Sequence, residues 1–437
     1  MPTNPNPVKS FITACSLALL LVAGGAALAA ELPAGKTAPA PGIAAKVLEL
    51  TGAETRIVWL RNKQWETSKG GVDGGADFSI MAFDTGGKGE RELVPAVPEG
   101  EIYNPLITSD GRRVIYTTGD GGISLSGGDR KTLTPARLLA ENNHIYNFSR
   151  WCRTYRPAIG VGGCGNIVRS NLLHHGPHSA IQLGGNDHLV EYNEIHSVCS
   201  DTGDVGAFYM GRDWTARGTV IRHNYWHHIQ GPGRLGAMGI YLDDQASGIS
   251  VIGNIFYRVT RAVFIGGGCD NVVENNIFVD CTPAVHIDAR GLGWQKKATD
   301  DPKGELRSRL AAMPYQDELW SKRYPELVKI LDDNPGTPKR NRVLRNISVG
   351  GKWDDVDAGT RPHQIVAANF VDRDPHFIDR AGADFRLRAS SPAPKEIEFR
   401  PIPTVRIGLY RDRYRATWPV EHRPRELPPE TEAAPSP

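Results

Sequence analysis

Between residues 142 and 291 the chain repeats a short pattern of polar and apolar positions. Repeated segments end in an asparagine that is followed two places later by an apolar residue; these asparagines are Asn171, Asn193, Asn224, Asn254 and Asn276. Repeats of about 20 to 50 residues with short β-branched runs and turn glycines are typical of solenoids. No segment of this region has the sustained apolar spacing of a helix. The pattern therefore predicts an all-β protein, a right-handed parallel β-helix in which these asparagines form a ladder.

A second strand in each coil predicts two outward-facing stripes. Alternation places one set of apolar residues inside the coil, namely Ile181, Phe208, Ile240, Val263 and Val285. The neighbouring outward positions form an aromatic stripe of Gln182, Tyr209, Tyr241, Phe264 and His286. The next outward positions form a glycine–aspartate stripe of Gly184, Gly211, Asp243, Gly266 and Asp288. Aromatic side chains beside glycines and acids predict a shallow groove.

The N-terminal residues have the character of an export signal. Residues 1–29 contain Lys9, a long apolar run and the small-residue sequence Ala27-Leu28-Ala29. This arrangement predicts a secretory signal peptide and therefore a secreted or periplasmic protein that leaves the membrane after cleavage. Residues 30–46 are rich in alanine, proline and glycine, which indicates a linker.

Residues 47–120 contain strand-like runs of a different kind. The sequence ITSDGRRVIY, with FDT upstream, resembles a blade of a TolB-type β-propeller. The resemblance covers about one blade and a half, whereas a closed propeller needs at least four. We therefore expect a small antiparallel, partial propeller-like segment, either packed on the β-helix or left over from a gene fusion, and we favour the remnant.

The β-helix is expected to span residues 121–400, with one interruption. Residues 292–340 have helical spacing and a proline-containing stop, which predicts a helical insertion. Residues 401–437 form a C-terminal tail that is charged and proline-rich beyond Pro419, and we expect that last part to be disordered. The formal charge of the 437-residue chain is only +2, so no general attraction to nucleic acid is implied. We expect a monomer.

Two coils are longer than their neighbours, and the additional residues fall in one turn. These are residues 199–205 and 230–237, which we expect to overhang the two stripes. Directly before these loops lies a histidine stripe of His174, His196 and His227, expected to face the same groove. Stacked histidines on a β-helix are interpreted as a structural ladder in preference to metal ligands. No metal and no cofactor is predicted.

Acidic residues on this surface are candidates for catalysis. Rungs are about 4.8 Å apart, so Asp243 and Asp288 are expected two rungs apart, with Gly266 leaving room between them. Asp204 is expected to reach Asp243 or Asp244 one coil on. A pair of carboxylates facing across a sugar-sized gap is what glycoside hydrolysis needs. The candidate catalytic residues are Asp204, Asp243 and Asp244; the candidate substrate-binding residues are Tyr209, Arg212, Asp213, Tyr241, His196, His227, His286, Asp288 and Arg290.

The segments GAFYMGRDWTARG, GIYLDDQASG and HIDARGLGW carry a family resemblance. They resemble secreted right-handed parallel β-helix proteins of the pectate-lyase-like superfamily, and in particular glycoside hydrolase family 141. This resemblance implies α-L-fucosidase or xylanase activity on a plant or algal polysaccharide. It also implies two aspartates about forty residues apart on neighbouring coils, which Asp204 with Asp243 or Asp244 would match. Members of that family have more coils upstream.

Two other functions stay open at the level of sequence. A polysaccharide lyase or uronate epimerase would use the same fold, although the chain has no compact acidic cluster suited to Ca²⁺. A non-catalytic glycan-binding protein would also fit, because fold alone does not determine function. A polysaccharide or oligosaccharide is the expected partner in each case.

Overall fold

The computed structural model divides the chain into two units, residues 1–119 and 120–437. In the first unit the structure describes residues 56–62, 74–76, 78–84, 91–94, 101–107 and 114–117. In the second it describes residues 121–425 except Trp151, Tyr414 and Ala416. The predicted signal peptide and linker, and the last residues of the tail, lie outside the described residues. No helix in the described part of the chain is long and apolar enough to cross a membrane.

The first unit contains antiparallel strands. These are β1 (Arg56–Asn62), β2 (Gly74–Ala76), β3 (Phe78–Asp84), β4 (Arg91–Val94), β5 (Glu101–Ile107) and β6 (Val114–Thr117). One three-stranded sheet has the order β1–β3–β4 and a second has the order β2–β5–β6. The relation of these strands to a propeller blade stays a prediction.

The second unit is built from three eight-stranded parallel sheets, and each coil contributes one strand to each sheet. Sheet 1 contains β7 (Ile123–Gly127), β10 (Ile159–Gly163), β13 (Ile181–Leu183), β16 (Val205–Gly211), β19 (Ala237–Asp243), β22 (Arg261–Gly266), β25 (Val285–Asp288) and β28 (Asp354–Val356). Sheet 2 contains β8 (Leu139–Glu141), β11 (Ile167–Arg169), β14 (Leu189–Glu191), β17 (Val220–Arg222), β20 (Ser250–Ile252), β23 (Val272–Glu274), β26 (Arg342–Leu344) and β29 (Ile365–Ala367). Sheet 3 contains β9 (His144–Tyr146), β12 (Leu172–His174), β15 (Glu194–His196), β18 (Tyr225–Ile229), β21 (Ile255–Val259), β24 (Ile277–Cys281), β27 (Ile347–Gly351) and β30 (Phe370–Val371).

The asparagine ladder lies at the turn between sheets 2 and 3 and confirms the sequence prediction. Asn193 donates from its backbone N and from Nδ2 to Oδ1 of Asn224, both at 2.9 Å. Asn224 makes the same two bonds to Asn254, at 3.0 and 2.9 Å. Each of these three side chains is fully buried. The ladder therefore satisfies polar groups at a turn that water does not reach.

The core fills the space between the three sheets. The predicted inward residues of sheet 1 are all fully buried: Ile181, Phe208, Ile240, Val263 and Val285. Aromatic side chains from sheet 3 stack inside the coil, with 5.0 Å between the ring centroids of Phe256 and Phe278. The alternation that places these residues inside leaves the aromatic stripe facing outward on sheet 1.

The insertion between β25 and β26 is helical, as predicted. It contains the 3-10 turns Arg290–Leu292, Pro325–Leu327 and Ile330–Asp332, and the helices α1 (Lys296–Asp300), α2 (Glu305–Ala311) and α3 (Glu318–Arg323). It folds back along the turns between sheets 1 and 2. Trp320 Nε1 donates to Lys131 O at 2.9 Å, and Asn186 Nδ2 donates to Tyr324 Oη at 3.2 Å. The insertion thus forms a wall beside several earlier coils.

The C-terminal part of the second unit covers the outer face of sheet 3. Its hairpin β31 (Phe377–Asp379) and β32 (Asp384–Leu387), and helix α4 (Ala393–Glu396), belong to an apolar cluster with Tyr257 and Ile277. The chain then returns to early coils, where Tyr410 N donates to Asn142 Oδ1 at 3.1 Å. Arg425 N donates to Ser197 Oγ at 2.7 Å. The expectation that the chain is disordered directly beyond Pro419 is therefore wrong for residues 420–425, because the His422 side chain and the Arg425 backbone N both bind the β-helix.

Candidate functional site

The aromatic stripe runs up sheet 1 in the predicted register. Tyr209 is paired with Tyr241, Tyr241 with Phe264, and Phe264 with His286. The rings of Tyr241 and Phe264 are stacked at 4.9 Å, and those of Phe264 and His286 at 4.1 Å. The neighbouring glycine–aspartate stripe is also in register, with Gly211 beside Asp243 and Gly266 beside Asp288. Coil stacking therefore brings residues distant in sequence onto one surface.

Arg290, at the start of the insertion, lies at the centre of this surface and is only 4% exposed. Its Nη1 contacts Oδ1 of Asp243 and lies 2.9 Å from Oδ1 of Asp244. Its Nη2 lies 2.9 Å from Oδ2 of Asp288. The guanidinium also lies over the ring of Phe264, 5.0 Å from the centroid. One buried cation thus binds three carboxylates, which is the compensation that buried charges require.

Asp244 follows β19 directly and is held on three sides. Arg212 Nε donates to Oδ2 at 2.6 Å, while Arg290 and Gln295 donate to Oδ1. Burial alone would raise the pKa of the Asp244 carboxyl, but these hydrogen bonds and the charge of Arg290 outweigh burial, and the pKa is lowered. Asp244 is therefore an ionised carboxylate whose oxygens are occupied by neighbouring donors.

Asp243 has a different environment, although it is the adjacent residue. Burial raises the pKa of its carboxyl, and the nearby charge of Asp244 raises it further. Arg290 acts in the opposite direction, as does the Tyr209 hydroxyl, which donates to Oδ2 at 2.8 Å. The pKa of Asp243 is therefore raised and that of Asp244 lowered, so the surroundings of these two adjacent carboxyls favour different protonation states.

Asp204 lies at the end of the overhanging turn 197–204, directly before β16, and is exposed. Its Oδ1 accepts a hydrogen bond from the Tyr241 hydroxyl at 3.1 Å. The same hydroxyl lies 3.4 Å from Nη2 of Arg290. Tyr241 therefore connects Asp204 to the group that contains Asp243 and Asp244. The structure places all three predicted catalytic aspartates around Tyr241 and Arg290.

The histidines expected in the groove lie elsewhere, and this corrects the sequence interpretation. His196 and His227 are on sheet 3, where they are 0% and 3% exposed. His196 Nε2 lies 3.0 Å from Nδ1 of His422, in the C-terminal tail, and His227 Nε2 lies 3.2 Å from Glu194 Oε1. The histidine stripe therefore lies on a different sheet from the aromatic stripe, and His422 of the tail packs on it.

Asp213 also points away from the carboxyl group of Asp243. Its Oδ2 lies 3.0 Å from Nη2 of Arg130, and its Oδ1 accepts from the backbone N of Thr215 at 2.8 Å. His286 stays at the edge of the aromatic stripe, where Nε2 lies 3.9 Å from Asp355 Oδ2. Burial lowers the pKa of His286 to about 4, so this ring is neutral near pH 7.

A cavity of about 200 Å³ continues the glycine–aspartate stripe toward earlier coils. Its floor includes Gly184 and Gly211, and its walls include Asp213, Arg130 and Arg309. Arg309 comes from helix α2, so the insertion completes the cavity. Gly211 also lies beside Asp243, which places one end of the cavity next to the carboxyl group.

Sequence reasoning did not select Trp294 or Gln295. Trp294 is 74% exposed and its ring lies 5.5 Å from Arg290 Cζ, whereas Gln295 binds Asp244. Trp294 ends the motif HIDARGLGW and Gln295 follows it directly, so their closeness to Arg290 in the sequence was a usable signal. Arg130 carried no such signal, because it reaches Asp213 only through the stacking of coils.

Within the described residues, one group of side chains has the composition and proximity of a metal site. The ligand atoms of Glu194, His196 and His422 all lie within 4.8 Å of one another. This group is on sheet 3, with the histidine stripe.

Comparison with protein-family profiles identifies the coils. Residues 157–295 match the family profile described as "Right handed beta helix region". The matched segment contains the coils that carry Tyr209, Asp243 and Arg290. No curated protein and no solved structure matches the chain. Together with the three stacked parallel sheets, the match defines an all-β, right-handed parallel β-helix with a short helical insertion.

Proposed function

We propose that this protein is a glycoside hydrolase that cleaves a polysaccharide in the groove on sheet 1. The proposal assigns Asp243 as the general acid and Asp204 as the second carboxylate. The observation that carries it is the environment of Asp243, a buried carboxyl with a raised pKa beside an exposed aspartate linked through Tyr241. A glycosidase needs one carboxyl that stays protonated and one that is ionised.

Asp243 suits the role of acid for physical reasons. Its carboxyl is 6% exposed, and burial together with the Asp244 charge favours the protonated form. A protonated carboxyl can donate its proton to the oxygen of the leaving sugar as the glycosidic bond breaks. The Tyr209 hydroxyl, 2.8 Å from Oδ2, fixes the orientation of this carboxyl.

Asp204 suits the role of base or nucleophile. It is exposed to solvent, and the Tyr241 hydroxyl orients it through Oδ1, so Oδ2 can face a water molecule or a sugar carbon. Asp244 is less suited, because Arg212, Arg290 and Gln295 already occupy its oxygens. We assign Asp244 to positioning Arg290 and the start of the insertion.

The substrate surface would combine an aromatic platform with polar groups. Trp294 presents an exposed ring beside Arg290, and apolar faces of sugar rings pack on such rings. The cavity beyond Gly211 offers Arg130, Arg309 and Asp213 to sugar hydroxyls. A plant or algal polysaccharide outside the cell is the proposed substrate, in keeping with the predicted signal peptide.

The experiment is incubation of the purified mature protein with a panel of polysaccharides. Reducing ends and unsaturated sugar products are measured together. Hydrolysis releases reducing ends without unsaturated products. Asp243→Asn and Asp204→Asn should each lower kcat by about 10²- to 10⁴-fold, the usual contribution of a general acid or base. Asp280→Asn is the matched control, because Asp280 lies on sheet 3, where Arg380 binds it. Wild-type turnover in both groove variants would refute the assignment.

A non-catalytic glycan-binding function is the second candidate. The observation that favours it is the position of Arg290, whose bonds to three carboxylates could serve only to hold the insertion on the coils. In that case the panel would show binding that Trp294→Ala weakens, with no product from any polysaccharide. Unsaturated products would instead indicate a lyase.

A further inference from the structure

A cluster of ligating side chains lies where the C-terminal tail meets sheet 3. It consists of Glu194, His196 and His422, with His227 directly beside them. Glu194 and His196 belong to β15, and their side chains lie on the outer surface of that strand. His422 arrives from the other end of the unit, in a segment without regular secondary structure. We call these four residues the tail cluster.

The distances within the tail cluster match those between ligands of one ion. His196 Nε2 and His422 Nδ1 are 3.0 Å apart. Glu194 presents Oε1 to the His422 ring, and one ligand atom from each of the three residues lies within 4.8 Å of the other two. Ligand atoms bound tetrahedrally to zinc at about 2.0–2.1 Å are roughly 3.3 Å from one another. His227 Nε2 is 3.2 Å from the same oxygen of Glu194 and is a potential fourth ligand.

The nitrogen atoms facing the cluster are free to act as ligands in one tautomer. His196 Nδ1 lies 3.0 Å from Ser197 Oγ, so a proton on Nδ1 leaves the lone pair of Nε2 directed at His422. Ser197 Oγ also accepts from the backbone N of Arg425. Such a hydrogen bond to the non-ligating nitrogen is the usual support of a metal-bound histidine.

Charge in the tail cluster favours a cation. The ion-pair partners of Glu194 within the described residues are His227 and His422, which carry charge only when protonated. The Glu194 side chain is 20% exposed and that of His422 is 23% exposed, whereas that of His196 is buried. An ion can therefore enter from the tail side and neutralise a carboxylate that is largely removed from water.

We propose that Glu194, His196 and His422 bind one divalent transition-metal ion of the zinc class, and that this ion fixes residues 417–425 on sheet 3. The ligand set of imidazole nitrogens and one carboxylate oxygen is suited to zinc and its neighbours in the first transition series, and not to calcium or magnesium. The ion would have a structural role, because the tail cluster lies on a different sheet from the proposed catalytic groove.

The first test measures binding to the full mature chain. Protein treated with a chelator and then freed of it is titrated with ZnCl₂ by calorimetry, and Co²⁺ is added separately to record visible absorption. We expect one Zn²⁺ per chain and a cobalt spectrum of low-coordinate nitrogen and oxygen ligation without thiolate bands. His422→Ala and Glu194→Gln should each weaken Zn²⁺ binding by at least tenfold. His363→Ala, at an exposed histidine away from the cluster, is the matched control and should bind as the wild type does.

The second test measures, by proteolysis, whether Zn²⁺ holds the tail on sheet 3. Trypsin cleavage after Arg425 should slow at least fivefold when Zn²⁺ is added to the wild type and to His363→Ala, and should not change for His422→Ala. Absence of stoichiometric binding, or equal affinities in His422→Ala and His363→Ala, would overturn the proposal. Glu194→Gln keeps the size of the side chain. If His422→Ala folds poorly, wild-type Zn²⁺ affinity in Glu194→Gln would overturn the proposal. Hydrolase activity does not enter either readout.

Discussion

The guanidinium of Arg290 occupies the space that a side chain on Gly266 would fill. A Cβ atom at position 266 would lie 2.5 Å from Arg290 Cζ, which is shorter than carbon atoms approach without a bond. Gly184 lies on the same stripe, yet its Cβ position has nothing within 4 Å. The two glycines therefore serve different purposes, and only Gly266 makes room for the cation between the carboxylates.

Gly266→Ala should displace Arg290 and leave Asp243, Asp244 and Asp288 with a weakened cation. Overpacking and the exposure of unpaired buried charges predict a loss of about 3 kcal/mol in the free energy of unfolding, measured by urea denaturation. Gly184→Ala is the control and should change stability by less than about 0.5 kcal/mol. Equal stabilities of the two variants would show that the position of Arg290 does not depend on the absence of a side chain at Gly266.

Asn224→Ala should destabilise the protein through the ladder. The substitution removes the acceptor for two donors of Asn193 and leaves buried polar groups unsatisfied, which predicts a loss of about 3 kcal/mol. Asn369, at the end of the ladder, is only partly buried. Asn369→Ala should therefore cost less than half as much in the same urea titration. A reversed order would contradict the view that burial gives the ladder its strength.

His188 should make the fold sensitive to acid. Asn166 N donates to Nδ1 of His188 at 3.0 Å, and burial lowers the pKa of the ring to about 4, with Asp187 opposing the shift and Arg130 adding to it. Between about pH 6.5 and pH 4 the unfolded chain binds more protons than the folded one, so the free energy of unfolding falls as the pH falls. His188→Asn, which keeps an acceptor for Asn166, should reduce that fall by up to about 3 kcal/mol.

The measurement for His188 is urea denaturation at several pH values in this range. His363→Asn, at an exposed histidine, is the matched control and should follow the wild type. Other buried histidines still titrate in the variant, so part of the slope should persist. Identical slopes for His188→Asn and the wild type would show that this ring does not set the acid limit.

Tyr209→Phe should change the pH profile of the proposed reaction in one direction. The Tyr209 hydroxyl stabilises ionised Asp243 and so lowers the pKa of that carboxyl; its removal should raise the pKa further. If Asp243 is the general acid, the alkaline limb of kcat/KM moves to higher pH. Tyr146→Phe, on sheet 3, should leave the profile unchanged. A shift of the alkaline limb to lower pH would exclude Asp243 as the acid.

Trp294→Ala should weaken substrate binding more than turnover. Loss of an exposed stacking surface predicts a rise in KM of about tenfold, equivalent to roughly 1.4 kcal/mol, with kcat changed far less. Trp294→Phe retains a ring and should recover most of the affinity. Because Trp294 is exposed, thermal unfolding of both variants should match that of the wild type. A fall in kcat without a rise in KM would argue against a platform role.

The arrangement of the coils could be predicted from the sequence because the pattern that defines each coil is local. Alternation determines that Ile240 faces the core and Tyr241 faces outward, and repetition determines that Tyr241 lies beside Tyr209 and Phe264. The asparagine ladder follows from the same register. The proximity of Asp204, Asp243 and Asp244 was also predictable, since it needs only neighbouring coils and an overhanging turn.

Contacts made by irregular segments were not predictable in this way. No periodicity indicates that Trp320 of the insertion would donate to Lys131, or that His422 would lie on His196. The histidine stripe was expected in the groove because it directly precedes the two long turns, but these turns lead from sheet 3 to sheet 1, and the stripe lies on sheet 3. The pKa difference between Asp243 and Asp244 likewise depends on Arg212, which follows β16, and on Arg290 and Gln295, at the start of the insertion.

The return of the insertion and of the tail to early coils changes how the second unit should come apart. In a simple solenoid each coil touches only its neighbours, so the ends can fray one coil at a time. Here Trp320 is bound to Lys131 and Tyr410 to Asn142, so late segments are fastened across the first coils. An end coil can therefore unfold only if these long-range hydrogen bonds also break. The end coils of this β-helix should consequently unfold together with the central coils.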